Sequence, residues 1–146
     1  MSKSNAAETA FLTLVFNNTD WANIGDAGGL QNSAAAGSLY VALHTGDPGD
    51  AGNASTSECA YGSYARQAVA RSGAGWTVSG DTVSNAALIQ CPPCSSGSEP
   101  LTYVSITTAV SGTSDILWSG ALSASLAVSS GIQPQFAIGA LTVTEA

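Results

Sequence analysis

The chain is poor in charge, since Asp, Glu, Lys and Arg make up only 9% of its 146 residues. Ordinary soluble domains contain about 25% of these residues. The polar surface must therefore be built mostly from neutral side chains such as Ser, Thr, Asn and Gln. Because neutral groups lose less solvation free energy than ions when they are covered, we expect a surface suited to permanent assembly with other proteins.

Basic residues are almost absent: Lys3, Arg66 and Arg71 face ten acids, and the net charge is −7. Binding to DNA or RNA depends on Lys and Arg that neutralise phosphates, so we expect no direct contact with nucleic acid. An anionic membrane surface is disfavoured for the same reason. The longest apolar runs, residues 11–16 and 39–43, are far shorter than the roughly 20 residues of a membrane-spanning helix, so we expect no membrane partner.

The first residues, MSKSNAAETAF, lack the apolar core and cleavage site of a signal peptide. We therefore expect synthesis in a cytoplasm, at least until the chain joins something larger. The length suits a single domain with its own core.

The residue pattern predicts a mainly β fold that starts with a helix. Asn5 and Glu8 resemble a capping box, after which residues 5–16 place apolar side chains at helical spacing. A second helical turn is predicted at residues 20–24, with Asp20 as its cap. From residue 38 onward, short segments of alternating polarity follow one another between Gly- and Ser-rich turns. The predicted strands are 38–45, 65–71, 76–79, 82–84, 86–91, 101–108, 115–121, 126–129, 135–138 and 141–144.

Many short strands at this spacing favour a jelly-roll-like antiparallel β-sandwich. Within a single domain overall, we assign residues 1–37 to an N-terminal helix and arm and residues 38–146 to the β-sandwich. The pattern leaves open whether the helix packs on its own sandwich or reaches into a neighbouring protein.

Catalytic motifs are not found. His44 is the only histidine, and alternation places it on the face of its strand opposite Leu39, Val41 and Leu43. The sequence contains no G-x-S-x-G elbow, no Walker loop and no G-x-G-x-x-G segment. We therefore expect a surface or interface histidine, no nucleotide or other cofactor, and no enzymatic activity.

The cysteines offer one alternative chemistry. Cys91 and Cys94 form a C-x-x-C pair, and with Cys59 and His44 they would make a Cys₃His zinc set. A lone C-x-x-C pair is a weak indication, and a buried cysteine that fills a small apolar space is the commoner case. A redox role is disfavoured because the pair lies in a Pro-rich loop after a strand. We therefore predict that no metal is bound.

Five segments of the β region match a known family in order. They are SLYVALHTGDPGDAG at 38–52, YGSYARQAV at 61–69, GWTVSGDTVSNAALI at 75–89, LTYVSI at 101–106 and the Ser/Gly/Leu-rich run at 119–136. Together they resemble a family of small virion proteins of tailed bacteriophages, often labelled tail fibre proteins. Some members look like capsid decoration or cement proteins with a jelly-roll fold. The resemblance covers about residues 38–144, and its motifs are non-catalytic; the three cysteines within this range are not part of the pattern.

The resemblance implies a structural virion protein. We expect above all a capsid decoration (cement) protein that binds the outer capsid surface across capsomer joints and stabilises the head. Its partners would be the major capsid protein and further copies of itself, as a dimer or trimer. An acidic protein also fits better outside the shell than against packaged DNA, because like charges repel. The alternatives are a tail or tail-fibre-associated subunit and, third, a carbohydrate-binding module for host recognition with Tyr61 and Tyr64 in an exposed groove.

We expect docking contacts in three places: the helix at 5–16, the loop at 46–58, and the strand at 141–144, whose edge could pair with a neighbouring sheet. The interface candidates are Phe11, Leu14, Asp47, Pro48, Tyr61, Tyr64, Leu141 and Val143.

Overall fold

In the computed structural model, which describes residues 1–145, the chain is mainly β, with antiparallel sheets and one short N-terminal helix. This confirms the predicted fold class. The helix α1 is Asn5–Asn17, and the strands are β1 Ser38–His44, β2 Gln67–Ala70, β3 Trp76–Ser79, β4 Thr82–Asn85, β5 Ile89–Gln90, β6 Glu99–Thr107, β7 Ile116–Val128, β8 Gln135–Phe136 and β9 Thr142–Thr144.

The chain forms two compact units, each assembled from separate stretches of sequence. The first unit contains Met1–Ser38, Val69–Leu88 and the chain from Phe136 onward. The second unit contains Leu39–Ala68 and Ile89–Gln135. The proposed assignment of residues 1–37 and 38–146, within a single domain, stays a prediction.

Helix α1 starts at Ser4, which acts as its N-cap. The Ser4 Oγ accepts a hydrogen bond from the Ala7 backbone N–H at 3.3 Å, which satisfies one of the free donors of the first turn. Asn5 is the first residue of the helix, so its predicted role as the cap is wrong by one position. Asn18 ends the helix in the left-handed conformation (φ 53°), which Asn tolerates better than most residues.

The core of the first unit forms where α1 packs on the hairpin of β3 and β4. Leu12 and Phe16 are fully buried on the helix, and the Phe16 ring meets Trp76 edge-on, with 4.9 Å between ring centroids. An edge-to-face contact of this kind adds to the stabilisation from buried area. The helix therefore packs on strands of its own chain, which answers the question that the sequence left open.

The loop between α1 and β1 contains no helix, so the helical turn predicted at residues 20–24 is wrong. Trp21 and Leu30 instead form an antiparallel bridge, with two backbone hydrogen bonds of 2.9 Å. The side chain of Asp20 accepts a hydrogen bond from the Asn32 N–H at 2.7 Å across the base of this loop, so it caps no helix. The glycines of the loop favour tight turns over helix.

The four-stranded sheet has the strand order β2-β1-β6-β7, and its strands β6 and β7 lie wholly in the second unit. Strand β1 lies between two others and pairs with β6 in the register Val41↔Ile106 and His44↔Tyr103. Its last four residues are all buried. A central strand can be covered on both faces, which the alternation of polarity in the sequence did not indicate.

Strand β7 is one continuous strand where the sequence predicted two, at 115–121 and 126–129. It stays next to β6 throughout, but the register shifts in the middle. Between the pairs Tyr103↔Ala121 and Leu101↔Leu126, β6 advances by two residues and β7 by five. This bulge is where the sequence pattern suggested a break.

Candidate functional site

The strongest candidate for a built docking surface lies in the second unit. Two loops meet there: residues 46–58, which follow β1, and residues 108–115, which connect β6 to β7. We call them the docking loops. The Ala54 N–H donates to the Ser114 carbonyl at 2.9 Å and joins the two loops through their backbones.

The first docking loop is ordered by its own turns. The Asp47 carboxylate accepts from the Gly49 N–H at 2.9 Å, and the Asn53 side-chain oxygen accepts from the Ser55 N–H at 2.9 Å. Such contacts replace a backbone turn and fix the loop without help from a partner. Gly52 is required here, because a Cβ at this position would lie 2.0 Å from the Pro48 carbonyl oxygen.

A largely buried ion pair holds both docking loops in place. The Arg66 guanidinium binds Glu58 through two hydrogen bonds, Nε to Oε1 at 2.6 Å and Nη2 to Oε2 at 2.8 Å. These bonds raise the pKa of Arg66, so its guanidinium stays charged. The remaining donors reach the second loop, at the Ala109 carbonyl (3.0 Å), the Gly112 carbonyl (2.8 Å) and the Ser114 hydroxyl (3.2 Å). The rigid fork of one arginine therefore holds two loops in one arrangement.

Tyr64 extends this network. Its hydroxyl donates to Glu58 Oε1 at 3.0 Å and accepts from the Leu43 N–H at 3.1 Å, and burial raises its pKa. The hydroxyl of Tyr61 donates to the Pro92 carbonyl at 2.9 Å, and Tyr61 is only 4% exposed. These two tyrosines do not form the exposed aromatic groove that a carbohydrate-binding module would need.

His44 is fully buried, so its predicted surface or interface position is wrong. Its Nδ1 lies 2.9 Å from the Thr56 carbonyl and its Nε2 lies 2.7 Å from the Ser105 hydroxyl. Because a carbonyl can only accept, Nδ1 carries the proton, and Nε2 accepts from Ser105. Burial lowers the pKa of His44, which keeps the ring neutral. Ser105 is buried as well, so this serine–histidine contact is closed to solvent.

The three cysteines are free and buried. Burial raises the pKa of the Cys91 thiol to about 12 and also raises that of Cys59, so both are protonated thiols at neutral pH. Within residues 1–145, no three His, Cys, Asp or Glu side chains are placed so that they could hold a metal ion. The alternative zinc set of Cys59, Cys91, Cys94 and His44 is therefore not assembled.

The predicted interface residues differ widely in exposure. Asp47 is exposed, while Phe11, Leu14 and Tyr64 are half-buried. Pro48, Tyr61, Leu141 and Val143 are buried. In β9, Val143 lies opposite Val83 of β4 and belongs to the core of the first unit. An interface role for the eight residues stays a prediction, and among them Asp47 is the one that the structure leaves exposed.

Sequence reasoning missed several exposed apolar side chains. In the second unit they include Val110, at 59% exposure in a docking loop, and Leu117 and Leu126 in β7. Alternation shows that a strand has two faces, but it does not show which face another element covers. For that reason the sequence contained no signal for these positions.

All three basic side chains make internal contacts. Arg66 binds Glu58, and Lys3 pairs with Glu145. Arg71 donates to the Val15 and Leu14 carbonyls at the end of α1, at 2.7 and 2.9 Å. Such bonds satisfy carbonyls that a helix end leaves without partners. On the described surface acids are exposed, whereas each of the three basic side chains is engaged in one of these contacts.

Comparison with models of known protein families gives a match. A family model described as Gp80, podophage GP4 fiber I protein gp80, matches residues 2–144, nearly the whole chain. No curated protein is found to be similar. In the described chain no helix is both long and apolar enough to cross a membrane.

The two ion pairs allow a matched test of what supports the docking loops. We expect Arg66→Met to lower the free energy of unfolding by about 3 kcal/mol, because it leaves Glu58 without its partner in a largely buried place. Lys3→Met breaks the more exposed pair with Glu145 and should cost less than about 1 kcal/mol. Urea unfolding followed by circular dichroism measures both. Equal losses in the two variants would contradict a supporting role for Arg66.

Proposed function

Because the chain belongs to the family of the podophage GP4 fiber I protein gp80 and is thus a structural protein of a phage virion, we propose that it is a fibre-associated subunit. In this role it binds other virion proteins through uncharged β surfaces and ordered loops. It catalyses no reaction and contacts neither nucleic acid nor membrane.

The observation that carries the proposal is the internal use of every basic side chain. With Lys3, Arg66 and Arg71 engaged in contacts of the chain itself, the surface has exposed acids and a large neutral area. A partner surface rich in acids would be repelled. Ion pairs with a partner would have to join acids of this chain to bases of the partner. Contact between neutral surfaces does not depend on the charge of the partner, and it avoids the cost of removing water from ions.

The docking loops are suited to such contacts because they are already ordered. Asp47 and Asn53 fix the first loop, and Arg66 fixes both. A loop that is ordered before binding loses little conformational entropy when a partner covers it. Val110 offers an exposed apolar side chain at this surface, and a partner that covers it gains the free energy of removing it from water.

The absence of catalysis is supported by the closed polar groups. The one histidine is buried with both ring nitrogens bonded, and its serine neighbour is buried too. The thiols of Cys59 and Cys91 are held protonated by burial. These four side chains therefore serve the core.

Capsid decoration is the second candidate, and the net charge of −7 favours it. In this role the protein would lie on the outer capsid surface, across capsomer joints, with the major capsid protein as its partner. An acidic subunit is repelled by packaged DNA and is better placed outside the shell. The same neutral surfaces would serve as the adhesive contacts.

Copy number separates the two locations. We expect quantitative mass spectrometry of purified virions to find the chain in proportion to the tail proteins, because a fibre occurs at a few sites on a particle. Tails separated from heads should retain it. If the chain instead occurs in proportion to the major capsid protein and stays with the heads, the fibre location is wrong and head decoration is correct.

The docking loops can be tested on the virion itself. We expect Val110→Lys to reduce incorporation of the chain into particles at least about tenfold, because a charge would be buried in a neutral contact. Ile138→Lys is the matched control, since Ile138 is exposed to a similar degree outside the docking loops, and it should be incorporated normally. Thermal unfolding of both purified variants confirms that they are folded. Normal incorporation of Val110→Lys would exclude this surface.

A further inference from the structure

The ring of His44 ties the first docking loop to the four-stranded sheet. His44 is the last residue of β1 and is fully buried. Its Nδ1–H donates to the carbonyl of Thr56, a residue of this loop, at 2.9 Å. Its Nε2 accepts from the hydroxyl of Ser105 in the neighbouring strand β6, at 2.7 Å. One neutral imidazole therefore joins the sheet to the loop through two hydrogen bonds.

Thr56 in turn holds the rest of the first docking loop. Its N–H donates to the Asn53 carbonyl at 2.8 Å, and its hydroxyl accepts from the Asn53 N–H at 3.1 Å. The residue between them in this turn, Ala54, donates to the Ser114 carbonyl of the second docking loop. The contact between the two loops thus depends on a turn whose Thr56 carbonyl is fixed by His44.

The surroundings of His44 disfavour a positive charge on its ring. Burial lowers the pKa of His44, which the hydrogen bond to the Thr56 carbonyl only partly offsets. The Glu58 carboxylate also favours the charged ring, and the Arg66 guanidinium opposes it. Because Glu58 is already paired with Arg66, it compensates little for a second positive charge.

No other neighbour of His44 balances such a charge. Its titratable and charged neighbours are Glu58 across an antiparallel bridge, Cys59, Tyr64 and Arg66 further along the chain, and Tyr103 opposite it in β6. Burial raises the pKa values of Cys59 and Tyr64, so both are uncharged at neutral pH. A protonated ring would therefore gain most from contact with water.

Opening of the loop is the easiest way for the ring to reach water. A protonated imidazole donates at both nitrogens, so Nε2 can no longer accept from Ser105. Strand β1 is held on both sides by the ladders of the sheet, whereas Thr56 is held to it by the bond from the His44 ring. Segments with few bonds to the core open at a lower free energy than central strands.

We propose that His44 is an acid-sensitive latch for the docking loops: when its ring takes up a proton from the solvent, the bond to Thr56 is lost, the first docking loop opens, and the protein leaves its virion partner. The opening is a property of the chain alone. The release from a partner rests on the proposed function, in which the docking loops form the contact.

The direction of the pH effect follows from the two states of the ring. An open ring takes up a proton near pH 6.5, whereas the pKa of the closed, buried ring is lower. The closed loop is therefore fully stable above about pH 6.5, and it loses stability as the pH falls from there toward the pKa of the closed ring. Free carboxyl groups titrate near pH 4, so they contribute little to a change between pH 7.5 and 5.

NMR and hydrogen exchange of the purified protein test the latch. His44 is the only histidine, so the imidazole signal belongs to it. We expect this signal to titrate below pH 6.5, and exchange of the Ala54 and Thr56 amides, corrected for the intrinsic effect of pH, to become about tenfold faster between pH 7.5 and 5. The amides of the β1–β6 ladder should stay protected. Titration at or above pH 6.5, or loop amides that do not respond, would overturn the latch.

His44→Asn is the matched variant, because its amide keeps an N–H for the Thr56 carbonyl and takes up no proton. We expect its loop amides to exchange alike at pH 7.5 and 5. Acid opening of this variant would show that another group is responsible and would contradict the proposal. If the variant does not fold, the titration and exchange of the unchanged protein decide the question.

Binding to virions assembled without the chain tests the release. We expect the affinity of the unchanged protein to fall about tenfold from pH 7.5 to 5, and that of His44→Asn to fall much less. Titration of the partner affects both proteins alike, so the difference between them reports His44. If acid opens the loop of the purified protein but both proteins bind equally at pH 5, the docking loops are not the contact, and the release is wrong while the latch stands.

Discussion

The ion pair between Arg66 and Glu58 is the interaction on which the docking surface depends. Arg66 has its guanidinium almost entirely buried, and each of its donors is used, so it cannot be exchanged for an apolar residue without releasing two loops. The same contact removes one of the few positive charges from the surface. Stability of the loops and neutrality of the surface thus have a common origin.

The other two basic residues follow the same pattern. Arg71 holds the end of α1, and Lys3 joins the first residues to Glu145. A protein that uses its bases internally offers no free positive charge to an acidic partner, and we propose that it binds by shape and by uncovered apolar and backbone groups. The docking loops present ordered neutral surface, and β7 presents an open strand edge. Both features belong to the second unit, and a long strand edge without charge or proline is unusual for a protein that functions alone.

Much of this fold could be predicted from the sequence, because alternation and turn residues depend on neighbours in the chain. The β3–β4 hairpin around Gly80 and the helix α1 are such cases, and the cap was missed by one residue because Ser4 and Asn5 are both good caps. The rest depends on distant neighbours. His44 is buried because β1 lies in the middle of its sheet, and β7 is continuous because β6 runs beside it. Of the site, the loop at 46–58 was predicted, whereas Arg66 was not, since nothing local shows that its partners are carbonyls about 45 residues further along the chain.

The central claim is that the chain binds its virion partners through neutral surfaces, and the dependence of that binding on salt tests it most directly. Purified protein would be added to virions assembled without it, at NaCl concentrations from about 0.05 to 1 M, which shortens the Debye length several-fold. The account predicts that affinity stays within about twofold or rises, because neutral and apolar contacts are not screened. A fall of about tenfold or more over this range would show that ion pairs hold the chain in place, and would contradict the account.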